Sequence, residues 1–288
     1  MTETSTDRLE QFNEARPMLF GLAYRMLGMR ADAEDVVQEA FLRWESARPQ
    51  EVTSPRAYLT TITARLALDE LKSARVKRET YVGTWLPEPL VNHPSPDRIE
   101  LAESLSVAFL HLLESLTPPE RAAFLLREVF DADYDEVAAV LETSEANSRQ
   151  LVARARKHLQ ERRPRFTADR AKQEEVLSRF LAACSTGDMT ALRALLREDA
   201  VQYSDGGGKV YAAINPIIGA DRVVRLIGGL LRKTAGVLGG TPVGVNGQPG
   251  FFFTLDGKPL SVLTLDLDES GRIRAIYQVV NPEKLRSV

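Results

Sequence analysis

The chain has 288 residues, 44% of them hydrophobic and 27% charged, with a formal net charge of −3, the profile of an ordinary soluble protein with room for two or three modules. Its single cysteine, Cys184, excludes an internal disulfide framework and a multi-thiolate zinc site, and fits a reducing compartment. The opening MTETSTDRLEQ lacks a basic stretch before an apolar run, and no apolar run approaches the ~20 residues of a membrane span, so the expectation is a cytoplasmic protein with no membrane partner.

From about Gln11 to Arg78 the pattern is helical. Met18, Leu19, Leu22, Ala23 and Met26 mark one buried face. Asp32 is placed to cap a second helix, with Val36, Val37, Ala40, Phe41 and Trp44 as its apolar stripe. Ser54 and Pro55 supply a cap and a first turn for a third helix, whose inner face is Leu59, Ile62, Leu66 and Leu71. Residues 80–97 break the period: Trp85-Leu86-Pro87-Glu88-Pro89 and Pro94-Ser95-Pro96 read as a semi-extended linker.

Helices then return. Thr117-Pro118-Pro119-Glu120 is a capping box, and Asp133 with Glu136 repeats the device for a short helix ending near Leu141. Ser144 caps another, running to about Glu161 with Leu151, Val152, Ala155 and Leu159 inward. After Pro164, helical patterns at 170–184 and 188–197 give way to strands expected at Val201–Ser204, Lys209–Ala213, Val237–Val245, Gly250–Leu255, Leu260–Asp268 and Arg272–Val280. A helix is expected at Ala220–Lys233, and Asn246-Gly247 and Asp256-Gly257 are two-residue hairpin turns. This order predicts an α+β domain with a curved sheet wrapped on helices.

Residues 133–158 have the spacing of a helix-turn-helix, whose second helix enters the major groove. Ser148, Arg149 and Gln150 lie near its start, where side chains reach base edges; Arg suits guanine and Gln suits adenine. Arg154, Arg156 and Lys157 suit phosphates. A solvated basic helix on an ordinary bundle accounts for the same pattern, and Glu142 stands in the turn where Gly is the easy residue for positive φ.

AEDVVQEAFLRW (33–44), SPRAYLTTITARLALDELKSARVKR (54–78) and the helix-turn-helix, in that order and spacing, resemble the extracytoplasmic-function sigma factors over about residues 12–162. Taken singly, the acidic first turn and the basic last turn have helix-dipole explanations. The resemblance implies that Asp35, Gln38, Glu39 and Trp44 dock on the large subunits of the RNA polymerase core. It also implies that the loop Arg48–Thr53 and the next helix (Arg56, Tyr58, Thr61, Arg65, with Lys72 and Arg75) meet the −10 element of promoter DNA. The −35 element would then fall to Ser148, Arg149, Gln150, Arg154, Arg156 and Lys157. The family commonly has Asn where Arg65 stands and a basic residue where Thr61 stands, which leaves the −10 sequence open.

The remaining ~120 residues resemble the SnoaL-like cone, carried by FLAACSTGDMTALRALLREDAVQY (180–203). Trp85-Leu86-Pro87-Glu88-Pro89, Asp205-Gly206-Gly207-Gly208-Lys209 and Asn281-Pro282-Glu283-Lys284-Leu285 are similar to motifs of sigma factors with a fused SnoaL-like domain. In that subgroup the extension regulates the core in place of a separate anti-sigma protein. The expected fold is multidomain: two all-α modules, a region 2 bundle (1–79) and a region 4 helix-turn-helix (98–165), joined by a Pro-rich linker (80–97), then an α+β SnoaL-like cone (166–288).

DGGGK reads either as a flexible hairpin loop or as an interdomain latch whose glycines let backbones approach closely. It lacks the Ser/Thr and the following helix of a phosphate-binding loop. In the latch reading Asp205 and Lys209 supply polar contacts and Trp85 an apolar anchor, with Pro87, Gly206, Gly207, Gly208, Asn281, Pro282, Lys284 and Leu285 around them. His93, His111 and His158 all precede the C-terminal domain, so no His–Asp dyad is expected there; Tyr203, Asp205, Lys209 and Tyr277 remain as acid–base candidates.

The leading expectation is thus a sigma factor regulated in cis, with no catalytic residues, no metal and no cofactor, and a pocket with room for a small-molecule ligand. A helix-turn-helix regulator with a ligand-sensing domain is the second reading. A SnoaL-like isomerase or cyclase is the third.

Overall fold

The computed structural model describes residues 5–47, 52, 54–92, 105–160, 169–233, 237–286 and 288. Contacts divide the chain into two compact units, residues 1–80 with 112–162 and residues 81–111 with 163–288. The chain thus leaves the first unit at Thr80, re-enters it within one helix, and leaves again near Arg162.

The first unit opens with α1 (Ser5–Leu27), α2 (Arg30–Ser46) and α3 (Pro55–Glu79). Leu19, Leu22, Ala23, Met26, Val36, Val37, Ala40, Leu59 and Leu71 are buried, as the helical period requires. Ser54 caps α3, its hydroxyl accepting from the Ala57 N–H at 3.4 Å. Asp32 does not cap α2: the helix starts at Arg30 with Met29 as the flanking residue, and Asp32 lies in the first turn, where a carboxylate complements the exposed N–H groups.

β1 (Val91–Asn92) and α4 (Val107–Leu113) come next. α5 (Pro118–Glu128), α6 (Tyr134–Leu141) and α7 (Glu145–Gln160) complete the first unit. The Thr117/Glu120 box is complete, with Thr117 N–H donating to Glu120 at 3.0 Å, and Asp133 N–H donates to Glu136 at 2.9 Å. Glu142 occupies the left-handed region (φ 52°) between α6 and α7, so the tight turn survives without glycine, at a cost of about 1 kcal/mol.

The second unit contains α8 (Arg170–Thr186), α9 (Met189–Leu195), β2 (Leu196–Asp205), β3 (Ile217–Ile218), α10 (Ala220–Lys233), β4 (Leu238–Val245), β5 (Gln248–Leu255), β6 (Lys258–Leu267) and β7 (Ile273–Val279). A single 3-10 turn, Pro282–Lys284, follows. The sheet order is β1-β4-β5-β6-β7-β2-β3, parallel at β7–β2 and antiparallel elsewhere. Both hairpin turns have positive φ at Asn246, Gly247, Asp256 and Gly257, the geometry that Asn-Gly and Asp-Gly favour.

The expected strand Lys209–Ala213 does not form. Gly206 starts a tight turn there, with its carbonyl accepting from Lys209 N–H at 3.0 Å, and β2 pairs instead with Ile217–Ile218. One face of the sheet packs Leu263, Leu265, Ile273 and Ile276 against α8–α10. The other face packs Val243, Val245, Val262, Tyr277 and Val279 with Leu86, Val107 and Leu285. The linker is therefore part of this unit: Val91 pairs with Val245 as an added edge strand, and Leu90 N–H donates to Asn246 at 3.0 Å.

Candidate nucleic-acid interface and linker clasp

In α7 the apolar stripe faces inward and leaves Ala146, Arg149, Gln150, Ala153 and Lys157 exposed along one side. Arg149 lies over the Tyr134 ring (4.2 Å) and pairs with Glu145 at 3.2 Å. Such an exposed pair is weak and exchangeable for a nucleic-acid contact. Arg156 pairs with Glu128 at 2.6 Å, and Arg154 lies 3.9 Å from Glu120.

Ser148 is a correction. It is fully buried, and its hydroxyl has no hydrogen-bond partner among the described residues. It lies three and four residues before Leu151 and Val152, so the helical period turns it inward. Ala146 and Ala153 take its place on the exposed side, where small side chains permit close approach.

On α3, Arg56 and Lys72 are exposed, while Tyr58 and Thr61 are half-buried. Lys72 pairs with Asp69 at 2.9 Å, and Tyr58 packs at 5.8 Å against the ring of Trp44. Two of the expected DNA contacts are engaged elsewhere. Arg65 donates to the Ala139 carbonyl at 2.6 Å and Arg75 to the Leu116 carbonyl at 3.0 Å, which joins α3 to the end of α6 and to the turn before α5. Beneath them Glu114 bridges Arg78 (2.6 Å) and Arg121 (2.5 Å). Burial opposes the charge of Glu114, but the two guanidinium groups outweigh it and hold the carboxyl below its ordinary value.

Trp44 is the second correction. It has no exposed surface, and its indole N–H donates to the Arg8 carbonyl at 3.0 Å. The exposed side of α2 carries Asp35 and Gln38, with Glu39 half-exposed, and Leu42 stands 55% exposed beside them. Sequence reasoning passed over Leu42, although i, i+3, i+4 and i+7 spacing from Asp35 unites the four. The loop Arg48–Thr53 lies outside the described residues except for Val52.

The most fully built site lies in the second unit. Asp205 is completely buried. Its Oδ1 accepts from the Tyr81 hydroxyl at 2.6 Å, and its Oδ2 accepts from Leu86 N–H and Lys284 Nζ, both at 2.8 Å. Lys284 also donates to the Leu86 carbonyl and lies 4.2 Å over the Trp85 ring. Asn281 donates to the Tyr81 hydroxyl at 2.9 Å. Burial, then the bond to Asp205, push the Tyr81 phenol well above its ordinary value. Leu86, Pro87 and Pro89 are buried behind this cluster.

Gly207 and Gly208 are needed for this approach. A Cβ on Gly207 would collide with the Asn281 amide and the Tyr81 hydroxyl, and one on Gly208 would sit 3.1 Å from Val82. Lys209, by contrast, does not meet the linker; it pairs with Glu283 at the surface, 3.3 Å away, and Lys284 supplies the buried cation. Leu86 rather than Trp85 is the fully buried anchor. Pro282 is exposed, whereas Leu285 joins the Leu86 cluster. Sequence reasoning missed Tyr81, which carries no local signal, and read Leu86 only as part of the linker motif and Asn246 only as a turn residue, not as contacts of the clasp. It also placed His111 outside the domain, whereas the His111 ring packs 4.7 Å from Tyr203 on this face of the sheet.

Among the described residues no His/Cys/Asp/Glu group could hold a metal ion, and no helix is long and apolar enough to cross a membrane. The "Sigma-70 region 2" family matches residues 12–76 and the "Sigma-70, region 4" family matches residues 106–159. The chain is 38% identical to the ECF RNA polymerase sigma factor SigJ of Mycobacterium tuberculosis, covering 96% of this chain and 92% of that protein. It is 34% identical to the probable ECF RNA polymerase sigma factor SigI of the same species, covering 94% and 92%. The crystal structure of M. tuberculosis SigJ superposes with a TM-score of 0.79 at 36% identity, covering 97% of this chain and 98% of that one.

Proposed function

The chain belongs to the extracytoplasmic-function sigma factors, and we propose that its C-terminal α+β unit governs promoter recognition in cis by holding the tether between the two DNA-reading regions. As a sigma factor it directs RNA polymerase core to promoters, and its place of action is that of the polymerase, the cytoplasm. The α2 side with Asp35, Gln38, Glu39 and Leu42 offers an acidic, partly apolar face to the core enzyme. Arg56, Tyr58, Thr61, Arg65, Lys72 and Arg75 serve the −10 element. Arg149 and Gln150 read bases at the −35 element, with Arg154, Arg156 and Lys157 on phosphates.

The observation that carries the regulatory reading is the Asp205 cluster, in which one buried carboxylate binds two points of the linker and a buried lysine. Reading two separated promoter elements requires region 2 and region 4 to part, and the chain from 81 to 111 is what connects them. Clasping residues 81–92 removes roughly 40 Å of extended reach from that tether. Arg65 and Arg75 become available to DNA only when the Ala139 and Leu116 carbonyls release them. Regulation of this kind takes the place of a separate anti-sigma protein.

A regulatory reading of the unit is favoured over a catalytic one by where His111 lies, the histidine of this unit among the described residues. It packs on the linker face, against Tyr203 and Tyr277, and not on the face of the sheet that packs against α8–α10.

The test is run-off transcription with core polymerase on candidate promoters, using the full chain and its Asp205→Asn variant. Promoter-specific initiation by the full chain is expected. Asp205→Asn is expected to change output while core binding persists. Output equal to that of the unaltered chain on every promoter would overturn regulation through the clasp.

A further inference from the structure

The second unit forms a half-open cavity of about 1110 Å³ between the sheet and α8 and α10. Its walls are mostly apolar, with Phe180, Ile227, Phe251, Phe253 and Leu263 among them. The one charged side chain lining it among the described residues is Arg286, exposed at the rim. A space of this size and character is that of a site for a small organic molecule.

Its floor is not apolar. β2 turns Gln202 and Ser204 toward the cavity and Tyr203 and Asp205 toward the linker, because successive strand residues face opposite sides. Gln202 donates through Nε2 to Gln278 Oε1 at 3.1 Å, and Gln278 donates through Nε2 to Ser261 Oγ at 3.1 Å. All three residues line the cavity, and Gln202 is 2% exposed. This relay leaves Gln202 Oε1 buried with no hydrogen-bond partner among the described residues. A buried carbonyl oxygen left without a donor is costly, and most such groups in folded proteins are satisfied.

We propose that this cavity binds a neutral, largely apolar small molecule through one hydrogen-bond donor, an O–H or N–H given to Gln202 Oε1. The apolar walls supply affinity by burying the body of the ligand. The amide supplies selection, since a molecule without the donor leaves Oε1 unpaired on binding. A charged group on the buried portion is disfavoured, because no opposite charge faces it there.

The chain carries its own reporter. Cys184 is the single cysteine of the sequence and lines the cavity, half-buried, with burial pushing its thiol up to about 11. The full chain is alkylated with N-ethylmaleimide, and the rate is followed by mass spectrometry in the presence of 2-naphthol or of 2-methoxynaphthalene, which has the same rings and no donor. Saturable protection of Cys184 is expected with 2-naphthol, at a concentration at least tenfold below that needed with 2-methoxynaphthalene. Gln202→Leu is expected to bring the two compounds together. No protection by 2-naphthol up to its solubility, or equal protection by both compounds on the unaltered chain, overturns the proposal without any variant. Persistent discrimination by a folded Gln202→Leu chain overturns it as well.

Discussion

Asp205 and Lys284 stand 79 residues apart in the sequence, yet their charged groups meet at 2.8 Å with side chains 0% and 3% exposed. Taking two charges out of water is expensive, and this pair offsets the cost through further contacts with the linker: bonds to Tyr81 and to both backbone groups of Leu86, and the Trp85 ring beneath the ammonium. The pair is thus stable only while the linker is in place.

Lys284→Met keeps the apolar stem and removes the cation, which strands a buried carboxylate. A loss of about 3–5 kcal/mol is expected for the second unit, measured by urea unfolding of the full chain. Lys284→Met with Asp205→Leu should recover much of that loss, because no buried charge then remains. If the double variant is as unstable as the single, the pair is not coupled in this way.

Gly207 has φ 58°, and Asn281 and Tyr81 occupy the space that its side chain would need. Gly207→Ala should therefore loosen the linker, read as faster chymotrypsin cleavage at Tyr81 and Trp85. Gly187→Ala is the control. Its φ is 68° with nothing within 4 Å, so it meets backbone strain of about 1 kcal/mol and no collision. Equal cleavage of the two variants would assign the effect to strain alone.

For the −35 reader, Arg149→Ala should lower affinity for a cognate site by about 1–3 kcal/mol and leave non-specific binding nearly unchanged. Ser148→Ala should cost nothing in binding, because the hydroxyl is buried and has no partner among the described residues. Fluorescence anisotropy with matched and scrambled duplexes separates the two. A large, sequence-dependent loss for Ser148→Ala would return that residue to the interface.

Glu114 gives the first unit an acid limit. Its carboxyl is held below the ordinary value of 4.5, so in the acidic range the unfolded chain takes up the proton first. The resulting stability is fully present above about pH 4.5 and is lost as the pH falls through the folded value. Glu114→Gln should unfold more easily at pH 7, and its difference from the unaltered chain should shrink steadily toward pH 3. A constant difference across that range would mean that Arg78 and Arg121 do not recognise the charge.

What could be read from sequence follows the range of each interaction. Caps at Ser54, Thr117 and Asp133 and turns at Asn246 and Asp256 involve neighbours within four residues, and all were legible. The clasp was legible only in its motifs. Tyr81 lies 124 residues from Asp205, and nothing local marks it. β1 escaped notice because two residues of strand make no period; only the edge of β4 defines them. Trp44 and Ser148 are a different case. Trp44 falls on the apolar stripe that periodicity marked, and the family pattern drew it to the surface. Ser148 was placed at the groove by its position at the start of the second helix of the helix-turn-helix, although its spacing to Leu151 and Val152 turns it inward.

The Leu90–Asn246 and Val91–Val245 pairings have a practical meaning for anyone who cuts this chain. The second unit is discontinuous: its first piece lies upstream of α5 and the rest downstream of α7. A break near 165 therefore does not yield two finished halves. The N-terminal product carries Leu86, Pro87 and Pro89 with nothing to cover them. The C-terminal product has a bare stretch of β4 edge and an Asp205–Lys284 pair open to water. Activity measured on either fragment reports a surface that the intact molecule never presents in its clasped form, so point substitutions within the full chain are the cleaner route to its regulation.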